Sequence, residues 1–117
     1  MREYTFSLPP RLNEMYNPHP SGRGILLSAE AREWKAEAGW LALQQGAELL
    51  TGKLHVWIDW YLKRDADIDA RIKPTLDALE GIVWSNDGII WKLDIEKHID
   101  KQAPRMVLRV AVIDDPA

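Results

Sequence analysis

The sequence predicts a small α+β domain: a mixed or antiparallel sheet of about four strands carrying one long and one short helix, in the order β-α-β-α-β-β. Three observations predict it. Leu54, Val56, Ile58, Trp60 and Leu62 alternate strictly with Lys53, His55, Trp57, Asp59 and Tyr61, the clearest period of two in the chain. Residues 28–51 carry apolar residues at helical spacing instead. Two more alternating runs follow a second, shorter helical stretch.

The elements follow in order. Residues 3–8 place Tyr4, Phe6 and Leu8 on one side and Glu3, Thr5 and Ser7 on the other, a half-buried strand. "PPRLNEMYNPHPSGRG" holds four of the seven prolines and two glycines, which predicts a long surface loop. Ser28 is the N-cap of the long helix. Its stripe of Ala36, Trp40, Leu43, Ala47 and Leu50 is expected to face the sheet, with Trp34, Ala38, Leu41 and Leu49 on the opposite side, read as ordinary partial exposure or else a subunit contact. Pro74, best tolerated in a first helical turn, sets the start of the short helix between Asp69 and Lys73 and its course over 72–80. Ile89, Trp91, Leu93 and Ile95 mark a strand, and Met106, Leu108, Val110 and Val112 the last one.

Composition narrows the function. The 117 residues suit one compact domain, and 46% apolar content with six tryptophans suits a folded one. The absence of cysteine removes disulfides, thiolate metal sites and thiol nucleophiles, leaving oxygen ligands, His and Lys. No run approaches the roughly 18 apolar residues of a membrane span, and "MREYTFSLPP" has no signal-peptide centre, so a cytoplasmic, membrane-free protein is expected. A net charge of −3 argues against nucleic acid in sum, but Lys63, Arg64, Arg71 and Lys73 bracket the acidic centre of the chain.

That centre is "RDADIDARIKPTLDALEGIVWSND", residues 64–87. In an extended segment Asp67 and Asp69, with Asp65 as a neighbour, present carboxylates to one side, where they repel unless a cation or water compensates them. An oxygen-only set suits Mg²⁺ or Mn²⁺. An Asp-rich polar loop is, taken alone, more often solvated surface. Lys73 stands four residues beyond Asp69, placed to offset charge on a phosphate, or else to pair with Asp77 one turn on. Asp87 can be returned toward the strand end by the short helix and a turn, or serve simply as a turn former in "SNDG". A calcium loop is excluded: Ala70 replaces its glycine, Lys73 a ligand and Leu76 its bidentate Glu. Trp40, Trp60 and Trp91 are expected in the core, with Trp84 the best non-core candidate, and His19, His55 and His98 show no ligand spacing.

Asp67-Ile68-Asp69, Lys73, "LDAL" at 76–79 and "GIVWSND" at 81–87 together resemble the core signature of the RusA family of Holliday junction resolvases. "LPPRLNEMY" at 8–16 and "SAEAREW" at 28–34 are similar to that family's N-terminal segment and helix start. The resemblance implies one endonuclease domain over 1–117, a homodimer acting on four-way DNA junctions, and Mg²⁺-dependent paired nicks. It implies Asp67, Asp69 and Asp87 as metal ligands and Lys73 as the essential lysine, with Asp77 on the helix surface. Ala70 and Asn86 depart from the family pattern, where Asn and Asp stand, and motivate an alternative: a dimer that binds junctions with weakened or lost cleavage. Contacts to the DNA backbone are expected from Lys63, Arg64 and Arg71, and from Arg11 and Arg23 on the Pro-rich loop. A metal-dependent nucleotidyl or glycosyl transferase, the remaining reading of Asp-x-Asp, needs a second nucleotide-binding half that the chain lacks.

Overall fold

A computed structural model describes residues 1–11, 16–18 and 25–113. The strands are β1 (Arg2–Phe6), β2 (Tyr16–Pro18), β3 (Ile25–Leu27), β4 (Leu54–Leu62), β5 (Ile90–Ile99) and β6 (Arg105–Val112); the helices are α1 (Ala29–Gln44) and α2 (Ile72–Leu79). A four-stranded mixed sheet has the order β1-β6-β4-β5, with β4 antiparallel to β6 and parallel to β5. The expected β-α-β-α-β-β order holds for that sheet and its helices. The small antiparallel pair β2–β3 is additional: Tyr16–Pro18 lies inside the segment read as irregular, and its extended residues pair with Ile25–Leu27 despite the surrounding prolines.

β4 is the centre of the sheet, and its parity decides the layers. Its even residues are buried, while the odd residues face the side without helices. Tyr4 and Phe6 of β1, Met106, Leu108 and Val110 of β6, and Trp34, Ala38, Ala42, Ala78 and Leu79 of the helices join them in one core. Each large side chain so buried contributes about 1.5–3 kcal/mol.

The long helix starts as expected, with Ser28 Oγ accepting from the Ala31 amide at 3.1 Å. Its buried face is the reverse of the expected one. Ala31, Trp34, Ala38 and Ala42 pack inward, whereas Trp40 and Leu43 are 62% and 68% exposed. Three alanines let the helix axis come close to the sheet, and Trp34 fills the remaining space, its indole donating to Ser7 O at 3.1 Å. Side-chain size pointed to the wrong stripe. The helix also stops at Gln44, because Gly46 takes a left-handed φ of 80° that turns the chain out, so Ala47 and Leu50 lie beyond it.

Two tryptophans also exchange places relative to expectation. Leu54 pairs with Ile90 but His55 with Lys92, a bulge that leaves Trp91 unpaired and 65% exposed, with Lys53 Nζ 4.3 Å from its ring centroid. Trp84, expected outside the core, is fully buried, because its segment bridges Leu50 and Glu80 and so folds beneath α2.

Candidate functional site

The Asp-rich segment leaves β4 at Leu62 and folds back along the helical side, where the Trp60 indole donates to Ile68 O at 3.2 Å. Asp67 O and Asp69 O accept from the amides of Ala70 and Ile72, so the backbone turns tightly and leaves both carboxylates exposed. Asp65 is tied elsewhere: Lys97 Nζ donates to its Oδ1 at 2.7 Å and to Ala66 O at 2.9 Å, and this partner holds the Asp65 carboxyl below the usual range.

α2 then carries Lys73 and Asp77 one turn apart, and Glu80 follows as its C-cap. Lys73 pairs with Asp77 at 3.1 Å, the i+4 pairing that the sequence left open. Asp87 does not return to the end of β4. The parallel register sets Ile90 beside Leu54, so Asp87, three residues earlier, stands toward the start of β4, within electrostatic reach of Lys73, Asp77 and Glu80. Burial raises its carboxyl above the ordinary range, with Glu80 and Asp77 adding to the rise and the Trp84 indole, donating at 2.8 Å, and Lys73 opposing it. The structure therefore gathers Lys73, Asp77, Glu80 and Asp87 into one electrostatic neighbourhood. Asp67 and Asp69 stand before the first turn of the same helix.

Asn86, the departure from the acid pair, has a local task. Its Oδ1 accepts from the Gly88 amide at 2.8 Å and caps the 3₁₀ turn Asp87–Ile89. A Cβ on Gly88 would stand 2.8 Å from that same oxygen, so the turn that presents Asp87 depends on both residues.

Four of the five expected DNA-contacting cations come together. Arg11, Lys63, Arg64 and Arg71 line one cavity of about 400 Å³ with Leu8, Leu62, Asp65 and Ala66. Arg71 is fixed there by donating to Pro9 O at 2.9 Å, which ties the segment after β1 to the start of α2. Arg23 and His19 lie outside the described residues.

Among the described residues, the group of His and carboxylate side chains that offers three ligand atoms within 4.8 Å of one another is Asp59, Glu96 and His98, able to hold a metal ion and not anticipated from sequence. Asp59 lies on the outward parity of β4, and Glu96 and His98 are two apart on β5. Parity was legible; the register that joins them was not.

The family model described as Endodeoxyribonuclease RusA matches residues 8–111, nearly the whole chain. The chain belongs to the RusA endodeoxyribonuclease family. No curated protein matches it significantly. Membership in RusA assigns a DNA endonuclease of the Holliday-junction-resolving kind in general terms. No helix among the described residues is long and apolar enough to cross a membrane.

Proposed function

We propose that this RusA member hydrolyses phosphodiester bonds in four-way DNA junctions, with Mg²⁺ held by Asp67, Asp69 and Asp87, and that two copies act as a dimer to give paired symmetric nicks. The observation that carries this reading is the single cavity lined by Arg11, Lys63, Arg64 and Arg71, which opens beside the segment bearing Asp67 and Asp69 within the family match. A duplex backbone following those cations would bring a phosphate to the carboxylates.

The donor set fits a hard cation. It offers only oxygens, and the raised Asp87 carboxyl, crowded by Asp77 and Glu80, gains from a neighbouring positive charge. Such an ion supplies Lewis-acid polarisation of the phosphate and an acidified water. Lys73 offsets charge accumulating on the phosphate oxygens, and its bond to Asp77 limits where its ammonium can reach. Trp84 holds one oxygen of Asp87, so the carboxylate would hold the ion with its orientation already fixed. Arg11, Lys63, Arg64 and Arg71 orient the backbone without reading bases. A two-fold dimer would match the two related strands of a junction.

The competing reading, a dimer that binds junctions without cutting them, rests on Ala70 and on the use of the Asn86 side chain as a cap. Synthetic four-way and linear duplex DNA, incubated with the protein with and without Mg²⁺, separates the two. Paired symmetric nicks that require Mg²⁺ and disappear in Asp67→Asn and Asp87→Asn are the expected result. Tight junction binding with no nicking supports the competing reading, and indifference to both DNAs sinks both.

A further inference from the structure

The face of the sheet without helices carries a second polar site, distinct from the Asp-rich loop and α2. We propose that Asp59, Glu96 and His98 bind a divalent transition ion of the zinc class. Asp59 and Glu96 are directly opposed on β4 and β5, and His98 lies two residues further along β5 on the same face. One ligand atom from each lies within 4.8 Å of the others, and His98 Nε2 is 2.8 Å from Asp59 Oδ1. Ligands about 2.0–2.2 Å from a tetrahedral ion stand roughly 3.3–3.6 Å apart, so the site forms when the exposed Glu96 rotates inward and the bonded His98–Asp59 pair opens by about half an ångström or more.

Three features of the surroundings favour an ion. Like charges directly opposed across strands destabilise a sheet, and Asp59, its side chain only 16% exposed, cannot rely on water to screen Glu96. Arg109 compensates Asp59 only in part: its Nε donates to Glu3 at 2.8 Å, and its ion pair with Asp59 spans 4.0 Å. The imidazole is oriented by more than its bond to Asp59, because it stacks on Tyr61 with ring centroids 4.6 Å apart and planes at 17°. A cavity of about 300 Å³ opens above, lined by Trp57, Asp59, Asp94, Glu96 and Arg109, with room for the ion's remaining waters.

The nitrogen donor selects the metal. Imidazole with two carboxylates suits Zn²⁺, whereas Mg²⁺ prefers oxygen and keeps its water, so the two ions divide between the two sites. On binding, His98 takes the tautomer with its proton on Nδ1, and Nε2 exchanges its bond to Asp59 for the metal.

Calorimetric titration of the purified chain with Zn²⁺ tests this. One site is expected, undisturbed by excess Mg²⁺, weakened about tenfold or more in His98→Gln and in Glu96→Gln, and unchanged in Asp67→Asn. Far-UV circular dichroism checks each variant; Glu96 is exposed, so Glu96→Gln carries the test if His98→Gln does not fold. Absence of zinc binding by the parent, or unchanged binding by a folded Glu96→Gln or His98→Gln, overturns the proposal.

Discussion

Replacing Trp84 by phenylalanine removes the indole N–H that donates to Asp87 Oδ1 at 2.8 Å and keeps an aromatic ring in a fully buried position. A hydrogen bond to a charged group is worth about 1.5–3 kcal/mol. Asp87 retains part of its solvation, so the lower end applies, about 1.5 kcal/mol, or roughly tenfold in an equilibrium constant. With the donor gone, the main influence holding the Asp87 carboxyl down is lost, and its pKa climbs further. Nicking of a four-way junction should then need about tenfold more Mg²⁺, and the acid limb of its pH profile should move toward higher pH. The smaller ring also leaves a partial cavity, so urea denaturation should show a loss of about 1–3 kcal/mol. Val83→Ala supplies the control. Val83 is equally buried and makes no bond to Asp87, so its loss of two methyl groups costs about 2 kcal/mol without moving the Mg²⁺ dependence. If both variants lose stability and neither changes the Mg²⁺ requirement, the indole is only filler and the account of Asp87 fails.

Three further outcomes follow from the same structure. Trp34→Ala should cost about 3–5 kcal/mol in denaturant titrations, and Trp40→Ala less than about 0.5 kcal/mol; comparable costs would mean that α1 packs by its other face. Each of Arg11→Ala, Lys63→Ala and Arg64→Ala should lower the slope of log affinity against log salt by about one for both junction and duplex DNA, and an unchanged slope would remove that residue from the DNA path. The Asp100 carboxyl is held below the usual range by Arg105, which donates at 2.9 Å, and by the amides of Ala103 and Gln102. Its stabilising effect is present above the ordinary carboxylate pKa and is lost as pH falls through the depressed folded value. Asp100→Asn should therefore melt below the parent at neutral pH and converge with it in acid; a gap independent of pH would refute the assignment.

Much of the fold could be read from side-chain parity. The even residues of β4, Tyr4 and Phe6 of β1, and Met106, Leu108 and Val110 of β6 are buried as their pattern required, because strand parity is a local property, while Val112 at the strand's end is 52% exposed. The errors arose where a distant partner decided. Nothing local told which stripe of α1 would be covered, and the small residues Ala31, Ala38 and Ala42 carried less weight in the pattern than Trp40 and Leu43. The bulge that turns Trp91 out exists only because β4 and β5 pair with a shifted register. In the same way the cations around Arg71 could be named individually, but their shared cavity depends on the bond from Arg71 to Pro9, 62 residues away in sequence. The placement of Asp87 follows from a parallel pairing that the order of elements did not distinguish from an antiparallel one.

The strand order has a consequence for synthesis. Among the described residues β1 pairs only with β6 in the main sheet, Arg2 opposite Val110, and β6 is also the strand that joins β1 to β4. A nascent chain therefore carries Tyr4 and Phe6 uncovered, and β4 with one open edge, until β6 has left the ribosome. Closure of the core therefore waits on β6 as a single long-range event, the step most exposed to aggregation and most dependent on how long the growing chain stays soluble.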